Sequence, residues 1–139
     1  MNKINFFWIY ILELRNGHFY TGYTTNLARR YLEHLSGISG AKYTRNFQPI
    51  RIAQCWRLFD SKGMALRVEA FIKKKRKVKE AIIEKPSMLK FLIFDKLNLD
   101  LNIFVFDPKL IENELLESGN KKIKKGLDPF RNLPPEDIY

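Results

Sequence analysis

The sequence predicts an α+β fold, and three observations carry that reading. Two runs rich in β-branched and aromatic residues, Phe6 to Leu14 and His18 to Thr24, are joined at Asn16-Gly17. Asn-Gly between such runs is the strongest short signal for a β-hairpin. Apolar residues then recur at helical spacing, first at Leu27, Ala28, Tyr31, Leu32 and Leu35, and again at Met64, Ala65, Val68, Phe71 and Ile72. Between these helices, a stretch from about Ile50 to Phe59 follows Pro49 and reads as a strand, the third of the sheet.

Composition bounds the rest. A chain of 139 residues accommodates one domain, or one domain with an appendage. With 45% apolar and 14% aromatic residues it has enough to bury a core, which excludes global disorder. The longest apolar run, Phe6 to Leu12, is too short to span a bilayer, and no basic-then-apolar leader precedes it. The single cysteine, Cys55, excludes a disulfide framework and a cysteine-rich zinc site. The expectation is a soluble, cytoplasmic protein that does not engage a membrane.

The formal charge of +10 is unevenly spread. Residues 1–85 hold 17 Lys/Arg against 6 Asp/Glu, a net of +11, whereas residues 86–139 hold 8 against 9, a net of −1. Such an excess of positive charge on the first segment points to a polyanionic partner, most often nucleic acid; the bland alternative is solubility. Residues 1–85 are therefore expected to be the working domain and residues 86–139 a C-terminal extension.

Within the hairpin, register decides whether Tyr10 and Tyr20 can cooperate. A two-residue turn places Tyr10 opposite Tyr23 and turns Tyr20 to the other face. A three-residue loop with Gly17 left-handed, a G1 bulge, places Tyr10 opposite Gly22 and Tyr20 opposite Leu12, all on one face. The residues alone leave both open. Thr25 or Asn26 can cap the first helix, which runs to about Leu35 or Ser36. Arg30 and His34, four apart, lie along the rim of its buried face.

Gly37 to Gly40 reads as a loop, and Lys42-Tyr43-Thr44-Arg45 continues it with basic and aromatic residues interleaved. Asp60 or Ser61 caps the second helix, on which Glu69 flanks the buried stripe. Lys73 to Lys79 holds six basic residues out of seven, spread by helical phase around the cylinder. Pro86 marks the boundary where the charge balance changes. Beyond it come a short helix from Ser87 through Phe94 and an alternating strand from Leu97 to Ile103 that runs on toward Phe106. A helix from Lys109 to Glu117 follows, ended by Ser118-Gly119, with a poorly ordered tail from about Asn120.

Tyr10, Tyr20, Arg30, His34, Lys42, Tyr43 and Glu69 together hold the parts that phosphodiester hydrolysis needs. A cation must hold the nonbridging oxygens, a base must take a proton from water, and a hard divalent ion must have an oxygen ligand. One good carboxylate favours a one-metal site. Taken singly each residue has an ordinary reading: strand tyrosines pack, a helical arginine pairs with Glu33 or Glu69, and a lysine run is a solvated face.

Order and spacing strengthen the case. Trp8-Ile9-Tyr10, Tyr20-Thr21-Gly22, Arg30 ten residues later, His34, the run Gly40-Ala41-Lys42-Tyr43-Thr44-Arg45, and Glu69 within Ala65-Leu66-Arg67-Val68-Glu69-Ala70 resemble the motifs of the GIY-YIG nuclease family. The likeness is strongest to its small single-domain branch, related to structure-specific flap and junction nucleases. It covers about residues 5–85, and six weak motifs in register are specific. Trp8 stands in place of the family's first glycine and is read as packing. The asparagine that several full nucleases carry after the glutamate has no clean counterpart.

The resemblance implies a three-stranded, mostly antiparallel sheet flanked by helices, with the active site on one face. It implies a metal-dependent endonuclease that hydrolyses DNA, on single-stranded or branched forms, with a role in DNA repair. Tyr10, Tyr20, Arg30 and His34 become the catalytic candidates, and Arg30 the clamp on the scissile phosphate. Glu69 becomes the ligand of a single Mg2+ or Mn2+. Lys42, Tyr43, Arg45, Lys73, Lys74 and Lys77 become candidates for holding the nucleic acid. It also favours the bulged hairpin. The alternative is a nucleic-acid-binding module on the same scaffold without catalysis. Residues 86–139 have no counterpart in the resemblance and are expected to pack on the domain or mediate self-association.

Overall fold

The computed structural model describes residues 5–37 and 47–124, with 118–124 as backbone alone. Strands β1 (Phe7–Leu14), β2 (Phe19–Thr24), β3 (Pro49–Leu58) and β4 (Ile103–Phe106) form one sheet in the order β2-β1-β3-β4, every pair antiparallel. Five helices accompany it among the described residues: α1 (Leu27–Ser36), α2 (Lys62–Lys73), α3 (Arg76–Glu84), α4 (Met88–Leu97) and α5 (Pro108–Lys124). None is long and apolar enough to cross a membrane.

The hairpin takes the bulged form. Gly17 sits at φ +84°, a region open to glycine at little cost. Leu14 N–H donates to the His18 carbonyl at 2.9 Å, Gly17 N–H donates to the Leu14 carbonyl at 2.9 Å, and Asn16 Oδ1 accepts from His18 N–H at 3.1 Å. Tyr10 consequently pairs with Gly22 and Leu12 with Tyr20, so both tyrosines face α1.

The helices begin where the sequence supplies caps. Asn26 Oδ1 accepts from Arg29 N–H at 3.1 Å to start α1, and Gly37 at φ +70° ends it. Ser61 Oγ accepts from Met64 N–H at 3.2 Å to start α2. The basic run does not continue as one helix. It breaks at Lys74-Lys75, and α3 restarts at Arg76 without a side-chain cap.

The sheet separates two cores. On one face Ile9, Ile11, Trp56 and Leu58 pack against α2, α3 and α4 through Val68, Ile72, Ile82, Leu89 and Ile93. On the other, Trp8, Tyr10, Leu12 and Cys55 pack against Leu27, Tyr31 and Leu35 of α1 and Ile111 and Leu115 of α5. At about 25 cal/mol per Å2 of apolar surface removed from water, these two layers supply the main drive for folding.

The expectation of three strands is corrected to four. β4 pairs with β3, Leu58 opposite Ile103 and Cys55 opposite Phe106. It covers an edge that β3 would otherwise leave bare, a standard hazard of open sheets. The alternating run from Leu97 is shorter as a strand than it reads, because Leu97 closes α4 and Asn98 turns left-handed at φ 56° as its C-cap. α5 also runs through Ser118-Gly119 to Lys124; a glycine costs a helix about 1 kcal/mol without forbidding it. Residues 125–139 of the tail lie outside the described residues. Pro86 marks a change of charge, yet packing is continuous across it, and Trp56 Nε1–H donates to the Pro86 carbonyl at 2.9 Å.

Candidate active site

β1, β2 and α1 bring four of the candidate side chains together. Tyr10 is 1% exposed and His34 0%, and the Tyr10 hydroxyl lies 2.9 Å from His34 Nε2. The His34 ring stands edge-on to both tyrosines, 5.8 Å from Tyr10 and 5.0 Å from Tyr20, whose own centroids are 6.4 Å apart. The guanidinium of Arg30, one helical turn before His34, lies close enough for its charge to act on both Tyr10 and His34. Its Nη1 donates to Glu33 Oε1 at 2.8 Å.

The direction of the Tyr10–His34 bond follows the His34 tautomer: with the ring proton on Nδ1 the Tyr10 O–H donates to Nε2, and with it on Nε2 the phenol oxygen accepts. Burial, with Tyr20 and Glu69 adding to it, pushes the phenol above its ordinary range, against the pull of Arg30. Burial and the neighbouring Arg30 charge bring His34 down to about 4. At neutral pH the pair is therefore a protonated phenol bonded to a neutral imidazole, with a guanidinium beside it.

His34 is not at a solvent-reachable rim, as helical phase suggested. The two tyrosine rings cover it, and the phenol of Tyr10 satisfies its Nε2.

Gly22 makes this arrangement possible. A Cβ at position 22 would lie 2.6 Å from Tyr10 Cζ and 3.0 Å from Cε1, and would meet the hydroxyl as well. No side chain larger than hydrogen leaves the Tyr10 ring where it is. Sequence reasoning passed over this role, although a glycine inside a strand is itself a signal of close approach.

Trp8, in contrast, packs. It stands edge-on to Phe106 with centroids 4.9 Å apart, and the Arg57 guanidinium lies 4.9 Å from the Trp8 ring and 4.8 Å from that of Phe6.

Glu69 belongs to α2, on the far side of the sheet from α1, yet its charge reaches Tyr10 and raises the phenol. Its side chain is 17% exposed and pairs with Lys73 Nζ at 3.3 Å. Among the described residues no three His, Cys, Asp or Glu side chains gather into a cage for a metal. A lone, largely shielded carboxylate within electrostatic range of a phenol nevertheless fits Mg2+ or Mn2+, because such ions keep waters and take substrate phosphate oxygens alongside one or two carboxylates.

The nucleic-acid candidates divide. Lys74 and Lys77 are exposed at the break and on α3, and Lys73 is held by Glu69. Lys42, Tyr43 and Arg45 lie outside the described residues. His18, and Arg76 and Lys79 of the basic run, were not singled out as candidates, yet they line a cleft beside the hairpin tip; the run carried the signal but not its direction.

Comparison with known proteins identifies the family. Residues 6–81 match the family described as the GIY-YIG catalytic domain. A UPF0213 protein of Cupriavidus necator is 47% identical over 74 residues, 53% of this chain and 78% of that relative. A UPF0213 protein of Halobacterium salinarum is 45% identical over 75 residues, 53% of this chain and 95% of that relative. The solution NMR structure of a UPF0213 protein from Bacillus halodurans is 39% identical, with a TM-score of 0.38, and covers 64% of this chain and 97% of that one.

Proposed function

The chain belongs to the GIY-YIG catalytic domain family, and on that basis we propose that it is a divalent-metal-dependent endonuclease acting on DNA, in single-stranded or branched forms. The observation that carries this reading is the setting of Tyr10, whose hydroxyl bonds neutral His34 at 2.9 Å within reach of the Arg30 charge. That is a proton acceptor relay beside an anion clamp. A merely structural tyrosine has no need of both.

Arg30 holds a nonbridging oxygen of the scissile phosphate, where its fixed charge offsets the negative charge that builds in the transition state. A phenolate is not the starting base, since burial keeps the Tyr10 proton on. Instead, water gives a proton to Tyr10 Oη as Tyr10 passes its own to His34 Nε2; the hydroxide attacks phosphorus, and the P–O bond to the leaving oxygen breaks. The resulting imidazolium is disfavoured by burial and by the neighbouring Arg30 charge. A bound phosphate offsets that charge and raises the basicity of His34, so the relay strengthens when substrate is in place. Tyr20 flanks the His34 ring and limits its rotation. Glu69 would hold the metal ion, which when bound would supply polarisation of the phosphoryl group and stabilisation of the departing oxygen.

One observation favours the non-catalytic alternative: Lys73 occupies the Glu69 carboxylate at 3.3 Å. The experiment that decides is incubation of purified protein with labelled single-stranded, flap and duplex DNA, with and without Mg2+ or Mn2+. Metal-dependent cleavage is expected, lost in Arg30→Ala and in Glu69→Gln, with binding retained in the latter. Binding without cleavage under all conditions establishes the alternative. Cleavage unaffected by both substitutions defeats the site assignment.

A further inference from the structure

A second feature lies between the hairpin tip and the break that separates α2 from α3. A cleft of about 220 Å3 opens between His18 and Phe19 on one side and Lys73, Arg76 and Lys79 on the other. The cationic heads are anchored. Lys79 Nζ donates to the Phe19 carbonyl at 2.9 Å, and Arg76 Nη2 donates to the Gly17 carbonyl at 3.2 Å, with its guanidinium 5.0 Å over the Phe19 ring.

Helix α3 starts at the same place. Its N-cap, Lys75, makes no side-chain hydrogen bond, and its first turn holds no acidic residue. The partial positive charge of an uncapped helix start therefore adds to three cations. Glu69 pairs with Lys73 at 3.3 Å and Glu80 with Arg76 at 3.5 Å. Lys79 is half-buried among like charges, and burial together with Lys73 and Arg76 lowers its affinity for its proton.

Edge protection explains part of this. β2 is an outer strand, and lysine or arginine over its free carbonyls discourages pairing with another chain. It does not explain why Lys73 converges on the same cleft from α2, so that three cations from two helices face one opening beside a helix start, as at a place prepared for an anion.

The geometry points to a phosphate-binding subsite at Lys73, Arg76 and Lys79, separate from the Arg30 site, which takes a second phosphate group of the polynucleotide. This inference rests on the nucleic-acid reading above. Lys73 pairs with Glu69 and lines the cleft, so the subsite lies beside the candidate metal ligand.

The test is a fluorescence-anisotropy titration of the full chain, in the absence of divalent ions, with a labelled single-stranded oligonucleotide carrying either a 5′-phosphate or a 5′-hydroxyl. For the Arg76→Gln/Lys79→Gln double variant, affinity at low salt is expected to fall by about tenfold, and the slope of log K against log salt to become shallower by about 1. Lys90→Gln, on α4, should change neither. Loss on both oligonucleotides assigns a phosphate within the strand; loss confined to the phosphorylated one assigns a terminal phosphate. Because Arg76 and Lys79 also bond the hairpin backbone, thermal melting of the double variant is measured in parallel. If it melts low, Lys73→Gln replaces it and should also flatten the slope. Wild-type affinity and slope in a folded variant overturn the subsite and leave the nuclease reading standing. Failure of the wild-type chain to bind either oligonucleotide overturns both.

Discussion

The phenol of Tyr10 lies across the backbone of Gly22, its partner on the neighbouring strand, so closely that a methyl group at 22 would fall 2.6 Å from Cζ. The two residues act as one element. The glycine vacates the space in which the tyrosine reaches His34, and the pairing exists because the hairpin is bulged at Gly17.

Gly22→Ala should cost about 1–3 kcal/mol, the usual range for overpacking a buried site, and displace the Tyr10 hydroxyl from His34. Urea melts and the DNA cleavage assay read the two effects. Wild-type stability together with wild-type cleavage would show that the close approach has no consequence.

Tyr10→Phe keeps the ring and removes the proton relay. Cleavage should fall by about 10²- to 10⁴-fold while oligonucleotide binding stays near wild type, as expected for loss of general acid–base help. Arg30→Ala should lose cleavage and weaken binding as well, because the same guanidinium holds the phosphate. Equal losses of binding in the two variants count against separate roles.

His34 predicts the pH dependence of stability. Its folded-state pKa, about 4, lies below the ordinary 6.5, so between these values the unfolded chain binds more protons than the folded one. Stability is then fully present above about pH 6.5 and is lost as pH falls toward 4, by about 3 kcal/mol when the change is complete. Denaturant melts of wild type and His34→Gln from pH 7.5 to 4 test this. The variant should show the smaller decline, and parallel curves would refute it.

The C-terminal segment is expected to be indispensable to the fold. Glu112 Oε1 accepts from Ile52 N–H at 2.9 Å, next to the register shift between β1 and β3 at Ile11/Leu12. Glu112→Ala leaves that donor without its partner and should cost about 1–3 kcal/mol. A fragment ending at Lys85 lacks Leu89, Ile93, Ile103, Ile111 and Leu115, all buried, and should give no cooperative thermal transition by circular dichroism. A fragment that melts like the full chain would restore the view of residues 1–85 as self-sufficient.

Local signals carried most of what the sequence made legible. Asn16-Gly17 announced the hairpin, Asn26 and Ser61 the helix starts, and helical spacing the faces of α1 and α2. The shared face of Tyr10 and Tyr20 was open between two registers, and the family likeness, not the turn residues, favoured the right one. Two facts were invisible because they depend on contacts distant in the chain. β4 reaches β3 across some forty residues of intervening chain, and His34 is sealed by rings from two strands that helical phase on α1 cannot report. The break at Lys74-Lys75 was hidden because a run of lysines has no turn signature.

The G1 bulge at Gly17 also has a meaning in time. A β-hairpin forms in about 1–10 μs, far sooner than pairings that must close long loops. Which side of the sheet receives Tyr10 and Tyr20 is thus settled while the chain is still largely unfolded, before β3, β4 or α5 has docked. A molecule that closes on the two-residue turn would commit its tyrosines to opposite sides and would have to reopen to correct the error. Gly17 therefore settles early the face of a site whose other members, Arg30, His34 and Glu69, follow it in the chain.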